Sequence, residues 1–175
     1  ICPFVTRPAE KIIDRKKLGL APASDAAQGV YQLRIPAGEK QEVTIVLQGS
    51  EVAYSFVEQT LPMLLENNID AAVYYIASAE LFDLLSEEEQ EKIFPEKVSR
   101  EAIGITGFTL PTLYRWIQSS SGRKHSLYPF KKGHFLGSGK AESVIEEAEL
   151  DGIGQFKAII EFLKEKKRKP SLTVS

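Results

Sequence analysis

Val43-Thr44-Ile45-Val46-Leu47-Gln48-Gly49-Ser50-Glu51-Val52 is the stretch that decides the fold. Its first five residues are mostly β-branched and lack polar alternation, the pattern of a strand covered on both faces. Gly49 permits a tight exit from that strand, and the Ser50 oxygen is suited to accept a bond from an unpaired amide of the next turn. Glu51 sets negative charge at the positive end of the helix that follows. Val52, Ala53, Phe56, Val57, Leu61, Leu64 and Leu65 then recur at helical spacing as one apolar stripe. The stretch therefore reads as the opening strand-turn-helix unit of an open α/β sheet.

On its N-terminal side, Val30 to Ile35 alternates, with Tyr31, Leu33 and Ile35 on one side, which predicts an edge strand with one wet face. Glu10 to Asp25 is charged and then rich in small residues and prolines, an exposed connector. Ahead of it, Pro3 to Thr6 is a short strand-like run stopped by Arg7-Pro8.

On the C-terminal side, Pro62 falls inside the first helix, where a lost backbone bond costs roughly 3 kcal/mol and predicts a kink. Asn67-Asn68 closes that helix, and Ala71 to Ile76 is a second core strand. Ser78 and Ser86 are placed to cap two short helices, the second ending at Phe94-Pro95, with Glu87-Glu88-Glu89 as its solvated first turn. Arg100 to Ile105 reads as a third strand and His125 to Phe130 as a fourth. Between them lie an amphipathic segment, Thr112 to Gln118, and a flexible connection, Ser119 to Gly122. A helix from Lys140 to Glu149 follows, then a last one from Gly152 to Lys167 with Phe156, Ile159, Ile160 and Leu163 on its buried stripe. Strands alternating with helices across short turns predict an α/β fold, a three-layer sandwich with an open, mostly parallel sheet.

Composition narrows the function. The chain has 175 residues, 43% of them hydrophobic, enough for one good core. A net charge of −2 gives no electrostatic case for nucleic acid or an anionic membrane, and no apolar run has the length of a membrane span. A single cysteine, Cys2, excludes an intrachain disulfide and fits a reducing, cytoplasmic setting. The chain opens on Ile1 without an initiator Met, which points to a piece of something longer.

The motifs carry little chemistry of their own. Gly133 to Lys140 looks like a phosphate loop, but five residues separate Gly133 from Gly139, and Ala141 stands where Ser or Thr is required. The basic residues from Lys164 to Lys169 suit a helix C-terminus. His125 and His134 lack a carboxylate or cysteine at ligand spacing, so no metal site is expected. Gly49 and Ser50, at a strand's carboxyl end, form the one candidate anion site.

Taken in order, three features resemble the C-terminal domain of transketolases. These are Gly49-Ser50-Glu51-Val52 after a strand, Ser78-Ala79-Glu80-Leu81-Phe82-Asp83 with the acidic helix to Phe94-Pro95, and the Gly137-Ser138 turn before a helix. The resemblance spans about Gln28 to Leu163. It implies that residues 1–38 are the end of a preceding pyrimidine-binding domain with a linker and edge strand. Residues 39–170 would then be the transketolase C-terminal-like domain, and 171–175 a tail. It also implies a parent that transfers a two-carbon ketol unit between sugar phosphates with thiamine diphosphate and a divalent metal. That machinery resides in the family's two preceding domains, so no cofactor and no catalytic residue are expected in this chain. Its implied partners are the preceding domains of the same polypeptide and a second copy of the parent in a homodimer. Arg7 matches the family's arginine that contacts the sugar phosphate. Leu136 to Ala141 departs from the family pattern in lacking a proline. The C-terminal domains of the 2-oxo-acid dehydrogenase β chain and of deoxyxylulose-phosphate synthase stay open as relatives. So does an independent module binding a small anionic metabolite.

Overall fold

The computed structural model describes residues 12–38 and 41–168. A four-stranded sheet organises them: β1 (Val30–Arg34), β2 (Val43–Gln48), β3 (Ala71–Ile76) and β4 (Ala102–Thr106). Their spatial order is β1-β3-β2-β4. β2 runs parallel to both neighbours, with Ile45 opposite Val73 on one side and Ile103 on the other. β1 joins β3 antiparallel, with a bulge between Gln32 and Arg34. The sheet is open, mixed and mostly parallel, as the sequence pattern predicts.

Period-two alternation splits each strand between two cores. On one face Val43, Ile45, Leu47, Ile103 and Ile105 pack under two helices' worth of Val52, Phe56, Leu61, Leu64, Ile159 and Phe162. On the other, Val46, Ala72 and Tyr74 pack with Phe82, Phe94, Leu113, Trp116 and Ile117. Phe94 sits edge-on to both Tyr74 and Trp116, with ring centroids 5.3 Å apart in each pair. The three layers are therefore helix, sheet and helix.

The first helix is not a simple kinked rod. α1 (Ser50–Ser55) passes through a π-helical turn (Phe56–Thr60) into α2 (Leu61–Glu66), whose first turn holds Pro62. Widening the turn ahead of the proline accommodates the ring and the missing amide without ending the run. After β3 come α3 (Ala79–Phe82), α4 (Glu87–Ile93) and α5 (Glu96–Glu101). Ser78 accepts from the Leu81 amide, and Ser86 with Glu89 completes a reciprocal capping box. α6 (Ser120–His125), α7 (Ala141–Glu147) and α8 (Gly152–Arg168) complete the chain.

Several expectations are corrected. β1 has no wet face: Val30, Tyr31, Leu33 and Arg34 are all buried, while Ile35 lies beyond the strand, 71% exposed. Arg100 belongs to α5, so the third parallel strand starts only at Ala102. His125 to Phe130 is not a fourth parallel strand. It contributes one bridge, Leu127 against Ile105, and His125 closes α6. Ser119 to Gly122 is not a loose connection, because the Ser119 hydroxyl caps α6 by accepting from the Gly122 amide. Gly122 is needed there, since a Cβ would stand 2.3 Å from the Ala102 carbonyl oxygen. Within Thr112 to Gln118 there is only the end of a 3-10 turn (Leu110–Leu113) and irregular chain.

The stripe of α8 is rotated as well. Phe156 and Ile160 are only half-buried, whereas Gln155, Ala158, Ile159, Phe162 and Leu163 are buried. Gln155 is fully enclosed beneath the π-helical turn. Its amide donates to the carbonyls of Val52 (3.1 Å) and Leu150 (2.7 Å), and its oxygen accepts from the Thr60 hydroxyl at 3.0 Å. A fully satisfied buried amide costs little and fixes how two elements dock.

Candidate functional site

The carboxyl ends of β2 and β4 meet where ligands enter open α/β sheets. Gln48 Oε1 accepts from the hydroxyls of Thr106 (3.0 Å) and Thr112 (2.8 Å), locking the two strand ends to the following turn. Gly49, at φ 108°, makes the exit that only glycine makes easily, and it is the N-cap of α1. Ser50 is thus already the first helical residue, and α1 has no side-chain cap, contrary to the capping role read from sequence. Glu51 folds back over this turn. Its Oε2 lies 3.4 Å from where a Gly49 Cβ would stand and 3.3 Å from that of Gly107. Glu51 thus places a carboxylate beside the glycine turn at which the sequence sets its candidate anion site.

Beside Ser50 a cleft of about 310 Å³ opens between α1, the strands β1 and β3, and the lead-in segment. Ile13, Val57 and Leu33 form its apolar walls, and Arg15, Tyr31, Tyr54 and Tyr75 bring polar groups. Arg15 Nη1 donates to the Tyr31 hydroxyl (3.0 Å) and to the Ala21 carbonyl (3.1 Å). Tyr31 meets Tyr75 edge-on at 5.9 Å. Burial first, and then the neighbouring Tyr31 and Glu51, push the Tyr75 hydroxyl above its usual range, so it remains a neutral donor. Apolar walls with a few convergent polar groups suit either a small ligand or an apolar segment of protein. The sequence hides this cleft because its lining comes from four separated segments, and Arg15 stands in a charged run that reads as connector.

The histidines are hydrogen-bonded: His125 Nε2 to Glu165 at 2.9 Å and His134 Nε2 to Glu147 at 3.3 Å. Among the described residues no group of three His, Cys, Asp or Glu is placed to hold a metal ion. With Glu51 over the glycine turn, these residues do not fit a metal-diphosphate group. No helix among the described residues is long and apolar enough to cross a membrane. Arg7 lies outside the described residues.

Solved transketolases share this architecture. The enzyme from Pichia stipitis, in complex with sedoheptulose 7-phosphate, superposes with a TM-score of 0.59 at 24% identity, over 86% of this chain and 20% of that one. The fold is that of a transketolase C-terminal domain. Transketolase from Leishmania mexicana matches with a TM-score of 0.59 at 15% identity, over 81% of this chain and 19% of that one. The Campylobacter jejuni transketolase gives 0.58 at 21%, over 78% and 19%. The chain thus spans about a fifth of the length of the solved transketolases it matches. No protein-family model and no curated protein sequence matches it. At these identities the transketolase likeness is one of fold.

Proposed function

We propose that this chain is the non-catalytic C-terminal domain of a thiamine-diphosphate transketolase of the cytoplasm. In that parent it packs against the pyrimidine-binding domain and supports the homodimer. Residues 1–38 join it to that domain and 39–170 are the domain proper. The observation that carries the reading is the match of nearly all of this fold to only a fifth of each transketolase. Two local features support it. The turn at Gly49 and Ser50 is faced by Glu51, which speaks against a free-standing anion module there. The tyrosine-lined cleft opens beside Ile12, which is 98% exposed, so an apolar wall borders the side from which a preceding domain would arrive. In the parent, the thiamine cofactor and metal are held by the preceding domains, and Arg7 reaches the phosphate of the sugar substrate.

The test begins with the coding sequence upstream of Ile1, expected to continue in frame into a Gly-Asp-Gly motif with a downstream Asn. The whole polypeptide is then compared with the 175-residue chain. The whole protein is expected to dimerise and transfer ketol units, and the 175-residue chain to show neither turnover nor thiamine diphosphate binding by calorimetry. Ketol transfer by the chain alone would overturn the non-catalytic assignment. A stop codon immediately upstream would remove the parent.

A further inference from the structure

A second cavity, of about 430 Å³, lies on the other side of the molecule's β4 edge, between α6 and the turn that follows it. Arg123, Lys124 and Lys131 line it, with Tyr114, Ser120 and Tyr128, and no carboxylate is among its lining residues. Three cations around one cavity stand out in a chain of net charge −2. Arg123 and Lys131 make no ion pair among the described residues and are held by other contacts. Arg123 Nε donates to the Ile117 carbonyl at 2.7 Å, and its guanidinium stacks 4.8 Å from the Tyr114 ring centre. Lys131 is half-buried and donates only to the carbonyls of His125 (3.2 Å) and Ser126 (2.9 Å). Lys124 is the exception, paired with Glu165 at 2.7 Å while remaining 66% exposed.

Other groups are left available. Arg123 Nη1 and the hydroxyls of Ser120 and Tyr128 have no hydrogen-bond partner among the described residues. A guanidinium preset by two backbone carbonyls with Nη1 still free, two ammonium groups and two hydroxyl donors around a small-molecule-sized volume match the oxygens of a phosphorylated ligand.

We propose that the cavity between α6 and Tyr128–Lys131 binds a small polyphosphorylated molecule, through Arg123, Lys124, Lys131 and the Tyr128 hydroxyl. The site is independent of the transketolase reading, because the argument for it uses only the side chains that line this cavity.

The probe is inorganic pyrophosphate, titrated calorimetrically into the 175-residue chain at physiological salt. Saturable binding is expected. Lys131 closes the end of α6 and Arg123 braces Ile117, so neither is the residue to change first. The Lys124→Ala/Tyr128→Phe double variant leaves those braces intact and, with two contacts to the phosphate oxygens lost, is expected to bind at least about tenfold more weakly. Lys97→Ala, on α5, is expected to bind as the unaltered chain does. No saturable heat at millimolar pyrophosphate would overturn the proposal. So would equal weakening by Lys97→Ala, which would mean diffuse attraction to any surface cation, or undiminished binding by the double variant.

Discussion

Replacing Gln155 by leucine nearly preserves volume beneath the π-helical turn while removing its polar connections. Three groups lose a partner: the Val52 carbonyl, the Leu150 carbonyl and the Thr60 hydroxyl. Thr60 retains a long bond to the Gly152 carbonyl at 3.3 Å, and Val52 also accepts the Phe56 amide within its helix. Leu150 lies outside any helix and keeps no other partner among the described residues, so its carbonyl is orphaned in a dry site. That orphan costs roughly 1–3 kcal/mol and the two weaker losses roughly 0.5–1.5 kcal/mol each, partly offset by the apolar gain of leucine. A net loss of about 3 kcal/mol follows, or a melting temperature lower by roughly 6–12 °C for a domain of this size. Urea unfolding of Gln155→Leu, Thr60→Val and the double variant gives both the loss and the coupling. The Thr60 and Gln155 changes should couple by about 1 kcal/mol, since they share one hydrogen bond. A leucine variant as stable as the parent would refute the reasoning. The buried amide would then be dispensable packing and not the element that sets the docking of α8.

Two further outcomes follow from other contacts. Gly122→Ala gains about 1 kcal/mol of helix propensity but drives a methyl into the Ala102 carbonyl, and overpacking against backbone costs roughly 1–3 kcal/mol or more. A net loss is expected in thermal unfolding, and a gain would show that α6 can lift off β4. Arg34 Nη1 pairs with Asp70 at 2.7 Å in a largely buried setting. Burial pushes the Asp70 carboxyl up, but the Gly38 amide, the hydrogen bond and charge of Arg34, and the Ala37 amide outweigh it and hold it below its usual value. A depressed carboxylate stabilises fully above its unfolded pKa, and the gain is lost as pH falls through the folded one. The stability difference between the parent and Asp70→Asn should therefore be constant from neutral pH down to about 4 and shrink below that. A difference already fading at pH 6 would contradict the assignment.

The sheet was legible because β2 and β3 are mostly apolar runs without polar alternation, bounded by Gly49 and by Asn67-Asn68. The helix phases were less so. Phe156 and Ile160 outvote Gln155 in any hydrophobicity pattern, yet the amide is buried because three polar groups from two other segments converge on it. α6 was misread for a similar reason: a Ser-Ser-Ser-Gly run looks like a linker, and its glycine is explained only by the proximity of β4. α5 is absent from the sequence reading: Pro95 precedes six helix-compatible residues, but the apolar strand beyond them set the strand's start at Arg100, inside the helix. The cavities were beyond reach, because each gathers side chains from distant segments whose meeting depends on the sheet order.

That sheet order also governs when the domain can exist during synthesis. Of the four strands β1 emerges from the ribosome earliest, but among the described residues its only sheet neighbour is β3, where Val30 must meet Ile76. β2 likewise waits for β3 on one side and β4 on the other. Until Ala71–Ile76 has been made, neither earlier strand has a sheet partner among the described residues, so the nascent chain holds apolar segments with open edges. Closing β2 onto β3 spans the shortest loop, and β1 then returns across a longer one to the outside. The segment that would connect this domain to anything ahead of it is thus secured only after the middle of the sheet is in place.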